Sequence, residues 1–447
     1  MLRFIALLAL LSGTLHAAPP NVVVILVDDL GYECIGANGG ASYQTPNLDR
    51  MAREGVRFEQ CYAQPNCTPT RVQMMTGMSN VRNYVRFGLL EKSQTTFGHL
   101  FHEAGYATCI TGKWQLGQND GGPKHFGFDE HCLWAYLDHG KRYANASLAV
   151  NDKLQAMEGQ YGPDVCQAFA FDFIRRNRSK PFFLYYPMIL THGPYEATPD
   201  SKDYGQAAVK QKKGGQQHFA DMVAYMDKLV GALTQELTTL GLRENTLILF
   251  TGDNGTGRGT TSALADGSEQ AGEKGSTTRG GMHVPLIVSW PGTMKPGSVC
   301  PDLVDMTDFL PTICDATGIS PPKTLPLDGR SFLPQVRGEK GSPRDWIYSY
   351  WVPLRDSQMA NVGARGAVEQ AFDHHYKLYS TGKFFELDHD VEEKSPLQVA
   401  DLKGEAAAAA VKLQAALDHF KDARPAELDE YAKQRKEKKK KGKDKAE

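Results

Sequence analysis

A chain of 447 residues, 41% hydrophobic and 23% charged, can bury a large core; that excludes a disordered polymer, and the length suits two domains or one large domain with an appendage. Eight cysteines are too few for a disulfide scaffold at this length. The formal charge of -2 excludes a uniformly basic nucleic-acid binder, although residues 433–447 hold nine Lys or Arg against three Asp or Glu.

The N-terminus places Arg3 ahead of an apolar run over residues 4–11, followed by small residues that end in Ala17 and Ala18. This pattern predicts a signal peptide over residues 1–17, too short to span a bilayer, and therefore a protein exported to the periplasm or secreted. No later stretch reads as a transmembrane segment. Asn21–Val27 is a nearly continuous β-branched run, as expected for a strand buried on both faces, and it ends in Asp28 and Asp29. Thr45 and Pro46 then supply an N-cap and a first-turn proline for a helix with Leu48, Met51 and Ala52 on one face and Gly55 as its stop. Thr96 caps a second helix carrying Phe97, Leu100, Phe101 and Ala104, and residues 106–110 read as a strand delivering Lys113.

Residues 181–190 form another apolar strand candidate, with His192 just beyond it. Met222, Met226, Leu229, Val230, Leu233 and Leu237 keep a helical period, and residues 246–250 read as a strand running into Asp253 and Asn254. Such alternation predicts an α/β fold, a mostly parallel sheet covered by helices, with functional residues at the carboxyl ends of its strands. Ser320, Pro321, Pro322 and Lys323 break the pattern. Beyond them, residues 346–351, 376–379 and 384–387 read as aromatic-rich strands and 406–420 as an alanine-rich helix, giving a smaller α+β C-terminal domain over residues 340–425. Residues 430–447 read as a basic, disordered tail, with attachment to an anionic surface or polymer as the other reading.

One pentapeptide, Cys67-Thr68-Pro69-Thr70-Arg71, fits the pattern Cys-x-Pro-x-Arg. Alone it also describes a buried cysteine beside a turn proline. Around it stand, in order, Asp28-Asp29-Leu30-Gly31, Thr111-Gly112-Lys113-Trp114, Thr191-His192-Gly193-Pro194-Tyr195, Thr251-Gly252-Asp253-Asn254-Gly255 and Lys274-Gly275-Ser276. Together these segments resemble the active-site segments of the formylglycine-dependent sulfatases, arylsulfatase-like members of the alkaline phosphatase superfamily, across most of residues 21–315. The resemblance implies an alkaline phosphatase-like catalytic domain over residues 21–320 and hydrolysis of sulfuric esters. Residues 383–390 are similar, less specifically, to the family's C-terminal strand and turn.

By that resemblance, a maturation enzyme reads Pro69 and Arg71 and oxidises Cys67 to formylglycine. One hydroxyl of the aldehyde hydrate then attacks sulfur, and the other expels sulfate after the alcohol has left. Arg71 orients the hydrate, Lys113 and Lys274 hold sulfate, and His192 binds sulfate and protonates the leaving oxygen. Calcium is implied as the cofactor, held by Asp28, Asp29, residue 67, Asp253 and Asn254. The acidic and amide oxygens do suit a hard divalent cation better than zinc. Read singly, Asp28 with Asp29 could be capping or turn acids, and Asp253-Asn254-Gly255 a plain turn. A helix beginning over residues 72–75 would set the nucleophile where helix amides favour negative charge. With Cys67 modified, seven cysteines remain, so at least one lacks a partner within the chain.

Three positions leave the family's pattern. Gln115 stands where a histidine is usual, Arg279 where glutamate is usual, and His283 where arginine is frequent. Two other functions stay open: a phosphonate or phosphodiester hydrolase, since such enzymes share the superfamily, and, given Gln115, a low-activity protein that binds sulfated glycans. The expected substrate is a sulfated small molecule or saccharide. Trp134, Tyr136, His139, Lys141 and Arg142 could stack on sugar rings and bind extra sulfates, or form a surface loop with incidental aromatics.

Overall fold

The structure is a computed structural model that describes residues 18–118, 121–205, 215–354 and 366–428. The expected signal peptide and the basic tail lie outside the described residues. At the centre of a ten-stranded sheet is Asn21–Val27. Val22, Val24 and Leu26 enter one apolar cluster, while Val23, Ile25 and Val27 enter another on the opposite face. A run without polar alternation is stable only when both faces are covered, and here both are. Phe182–Pro187 and Thr246–Gly252 flank it in parallel. Ala107–Lys113 and then Glu130–Trp134 continue the parallel set beyond Phe182–Pro187.

On the far side of Thr246–Gly252 lie antiparallel His283–Ser289, then Val56–Tyr62 and Ser298–Asp305. The opposite edge ends in the antiparallel pair Ser147–Val150 and Lys153–Ala156. The sheet is thus mostly parallel, as predicted. Its antiparallel members were not legible, since Ser147–Val150 and Lys153–Ala156 have four residues each and carry little periodic signal, and Pro285 interrupts the apolar run of His283–Ser289.

Helix Pro46–Glu54 starts and stops where the sequence predicts, but the Thr45 side chain does not cap it. That hydroxyl instead accepts from the Gly36 N–H at 2.9 Å and donates to Asp49 at 3.1 Å. Helix Phe97–Glu103 does carry its predicted cap, reinforced by His99 in a reciprocal capping box. The long helix Gln216–Thr239 buries Met222, Met226, Leu229, Val230, Leu233 and Leu237 against the sheet. No described helix is long and apolar enough to cross a membrane.

A second, antiparallel sheet runs in the order Ile347–Trp351, Val368–Phe372, Tyr376–Tyr379, Phe384–Glu386 and is covered by helix Gly404–Phe420. The sequence predicts all of these except Val368–Phe372, where Glu369 and Gln370 interrupt the apolar pattern. This sheet touches the turn that leads into Cys67. Ser349 Oγ donates to Gln64 Oε1, and Trp351 Nε1 donates to Asn66 Oδ1, both at 2.9 Å.

Candidate functional site

The parallel strands end on one side of the sheet, and the candidate residues collect there. Asp28 and Asp253 directly follow the adjacent strands Asn21–Val27 and Thr246–Gly252, and Lys113 is the last residue of Ala107–Lys113. Gly112 lets that last strand come close to its neighbour: at φ 122°, a Cβ there would lie 1.9 Å from the Pro187 carbonyl oxygen. His192 is anchored through Thr191, whose N–H donates to the Asp28 carbonyl at 2.7 Å.

Cys67 is the first residue of helix Cys67–Thr76, so the helix begins earlier than the expected start over residues 72–75. Proline at position 69 disguises this start. In a first turn it sacrifices no intrahelical hydrogen bond, because the N–H groups there have no partner. All ten residues of the helix are buried, and the Cys67 side chain sits where the helix dipole favours negative charge.

The site is a dense alternation of charge. Lys113 Nζ donates to both Asp28 carboxylate oxygens, at 2.9 and 2.7 Å. Lys274 Nζ lies 2.5 Å from Asp29 Oδ1, which also accepts from Asn254 Nδ2 at 2.8 Å. Arg71 donates through Nη2 to Asp253 at 2.7 Å and through Nη1 to the Lys113 carbonyl at 3.1 Å. His192 Nε2 is 3.9 Å from Asp29 Oδ2. The structure therefore brings together Asp28, Asp29, Cys67, Arg71, Lys113, His192, Asp253, Asn254 and Lys274. Asp29 (φ 63°) and Gln115 (φ 52°) both adopt the left-handed backbone that non-glycine residues rarely occupy.

Burial opposes every charge here, and the neighbours decide which survive. Asp28 and Asp29 would be raised by desolvation, but Lys113 beside the first and Lys274 beside the second, with His192 near both, hold them below the usual carboxylate range. Asp253 is pushed up to about 7 by burial and by the Asp28 carboxylate, against the pull of Arg71. Burial raises the Cys67 thiol although Lys113 and Lys274 oppose it, so an unmodified thiol is a poor nucleophile at neutral pH. His192 is lowered by burial, against Asp29 and Asp28.

A divalent cation fits this donor set. Ligand atoms of Asp28, Cys67 and Asp253 all lie within 4.8 Å of one another, and Asn254 Oδ1 is buried without a hydrogen-bond partner. The set is oxygen-rich and hard except for the thiol, and an oxygen in place of that sulfur would complete it.

Several neighbours were not foreseen, or were foreseen differently. The buried Tyr143 hydroxyl donates to the carbonyls of His192 and of Ile189, fixing the segment that carries the imidazole; no sequence pattern marks it. Trp134 and Tyr136 are both 5% exposed, so they are core residues and not a platform for sugar rings. His283 is stacked between Tyr32 and Tyr62, with ring centroids 4.1 and 4.9 Å away, and its Nδ1 accepts from Arg279 Nε at 3.3 Å. These two departures from the family pattern are thus packing partners of each other. All eight cysteines are buried and free.

A family model described as Sulfatase matches residues 20–319, and one described as N-sulphoglucosamine sulphohydrolase, C-terminal, matches residues 274–422. Human arylsulfatase A is 33% identical over 390 residues, covering 77% of this chain and 73% of that protein. Dog N-acetylgalactosamine-6-sulfatase is 31% identical over 391 residues, covering 76% and 71%. The crystal structure of Ps i-CgsB superposes with a TM-score of 0.75 at 24% identity, covering 91% of this chain and 94% of that one, and so shares the fold.

Proposed function

This chain belongs to the sulfatase family and hydrolyses sulfate esters, and on that premise we propose that it is an exported enzyme acting on sulfated saccharides through a formylglycine made from Cys67, with calcium bound at Asp28, Asp29, residue 67, Asp253 and Asn254. The observation that carries this reading is the position of Cys67. It opens a buried helix, amid Arg71, Lys113 and Lys274, at the ends of parallel strands.

A sulfate ester repels nucleophiles through its own negative oxygens, so cleavage needs concentrated positive charge and a strong oxygen nucleophile. Formylglycine supplies the nucleophile as its hydrate, and calcium, when bound, polarises sulfate and lowers the hydrate's pKa. Arg71 orients residue 67 from one turn along the same helix. Lys113 and Lys274 offer their ammonium groups to the sulfate oxygens. His192 faces the leaving oxygen, its Nδ1 held between Arg142 Nη1 at 2.9 Å and the Gly193 carbonyl oxygen at 2.5 Å. The saccharide preference draws on the amino-sugar sulfatase among the relatives, and export draws on the N-terminal sequence.

The test is a panel of defined sulfated saccharides beside an aryl sulfate, a phosphate monoester and a phosphodiester, assayed with protein made alongside a maturation enzyme. Sulfate release from a saccharide is the expected result. Turnover confined to phosphoesters would establish the superfamily's other chemistry, and saccharide binding without turnover would establish the low-activity reading that Gln115 keeps open.

A further inference from the structure

The loop after strand Glu130–Trp134 carries an arginine that the chemistry above uses only to hold the His192 ring. The Arg142 guanidinium lies over the Trp134 ring, 4.0 Å from its centroid, with Nη1 2.9 Å from His192 Nδ1. Trp134 is a fixed support, buried and donating through Nε1 to the Gly140 carbonyl at 2.8 Å. A guanidinium stacked on an immobile indole has given up much of its rotamer freedom before any ligand arrives.

Arg142 also makes no close ion pair. No carboxylate lies within ion-pair distance of it among the described residues. Glu196 is close enough to feel both Arg142 and Lys141, yet burial keeps its carboxyl above the usual range and it forms no ion pair with either. The result is a held, partly exposed cation with no close ion pair, in contact with the imidazole read as facing the leaving oxygen. With His192 read as the residue at the leaving oxygen, the alcohol part of the substrate is what reaches this side of the imidazole. A substituent on a sugar carbon next to the ester is therefore what the guanidinium meets.

We propose that Arg142, seated on Trp134, is a subsite for a second anionic group, a sulfate or a carboxylate, on the saccharide that departs when the ester is cleaved. This rests on the reading of His192 as the residue at the leaving oxygen. Both anions match the planar N–H fork of arginine, so the substrate class is a polyanionic saccharide and not a neutral sugar with one sulfate.

The experiment compares three substrates: a neutral sugar bearing one sulfate, the same sugar with a second sulfate, and a monosulfated disaccharide containing a uronate. Arg142→Gln slows all three through its contact with His192, and that common loss cancels in the ratio of kcat/KM for a dianionic over the monoanionic substrate. The ratio should fall by roughly 10- to 100-fold, the worth of a charge-assisted hydrogen bond, and recover in part in Arg142→Lys. Loss in the disulfated arm alone identifies a second sulfate as the ligand; loss in the uronate arm alone identifies a carboxylate. Equal loss on all three substrates would overturn the proposal and leave Arg142 as a residue that only orients His192. Calorimetric affinities of Cys67→Ala protein for the same sugars, with and without Arg142→Gln, give the ratio without turnover. A failed sulfatase reading would show as absent catalysis, whereas an unchanged binding ratio would sink the subsite itself.

Discussion

Cys67 and Gln115 are hydrogen-bonded, the thiol donating to the amide oxygen at 2.8 Å. The left-handed backbone at Gln115, whose N–H donates to the Ala135 carbonyl at 3.1 Å, turns the side chain toward residue 67. An amide can orient a hydroxyl at that position but cannot take its proton near neutral pH. The usual histidine could.

Release of sulfate should therefore be slow relative to cleavage of the ester, giving a burst of alcohol in pre-steady-state assays. Gln115→His should raise kcat, by up to the ~10²–10⁴-fold typical of general-base assistance, and shrink the burst, with KM rising alongside kcat so that kcat/KM changes little. No burst in the natural protein, together with a slower histidine variant, would make Gln115 a substrate-positioning residue.

His192→Ala separates acid catalysis from simple binding. Loss of a proton donor should cost ~10²–10⁴-fold on sugar or alkyl sulfates, whose alkoxides leave poorly, and far less on nitrophenyl sulfate, whose phenolate needs no proton. An equal loss on both substrates would assign His192 to sulfate binding alone.

Much of this site was legible because its residues follow apolar strands. Asp28, Lys113 and Asp253 end runs whose burial on both faces is evident from Val22 to Val27 and from Thr246 to Gly252 alone. The start of the helix at Cys67 was not, since Pro69 looks like a boundary when it is a first-turn residue. Trp134 and Tyr136 misled for a related reason. Aromatics beside Lys141 and Arg142 read as a surface patch, whereas Trp134 ends the buried strand Glu130–Trp134 and Tyr136 packs into the core two residues beyond it. Pairings across the chain, such as Tyr143 with the His192 carbonyl, have no local signature at all.

The metal should bind with a pH dependence set by Asp253. Its carboxyl is raised to about 7, so a proton must leave for a cation to enter below that pH and none need leave above it. Calcium affinity should fall as pH drops through 7 and level off above it, measured by titration calorimetry in buffers of differing ionisation heat. The sign for folding is the reverse. A folded carboxyl that binds its proton more tightly than the unfolded one makes the metal-free protein lose stability as pH rises from about 4 toward 7, and calcium should abolish that loss. Asp253→Ala should remove both the calcium heat and the activity; calcium binding unchanged in this variant would place the ion elsewhere.

The second sheet should matter to the site through one buried pair. Lys377 Nζ lies 2.5 Å from Glu393 Oε1 and 2.7 Å from the carbonyl of Thr277, three residues beyond Lys274. Lys377→Met leaves the buried Glu393 carboxylate without its cation, with only the Tyr379 hydroxyl still donating to it, and should cost about 3–5 kcal/mol in urea unfolding, whereas Lys377→Met with Glu393→Gln should recover part of that. A single variant as stable as the natural protein would show that the pair is not desolvated in solution.

The most direct measurement is the mass of the peptide containing residue 67, taken on samples of graded activity from expression with and without a maturation enzyme. Sulfatase turnover should rise in proportion to the fraction of peptide carrying formylglycine, and Cys67→Ala protein should fold yet show none. Full turnover by protein whose residue 67 is entirely unmodified cysteine would contradict the account at its centre.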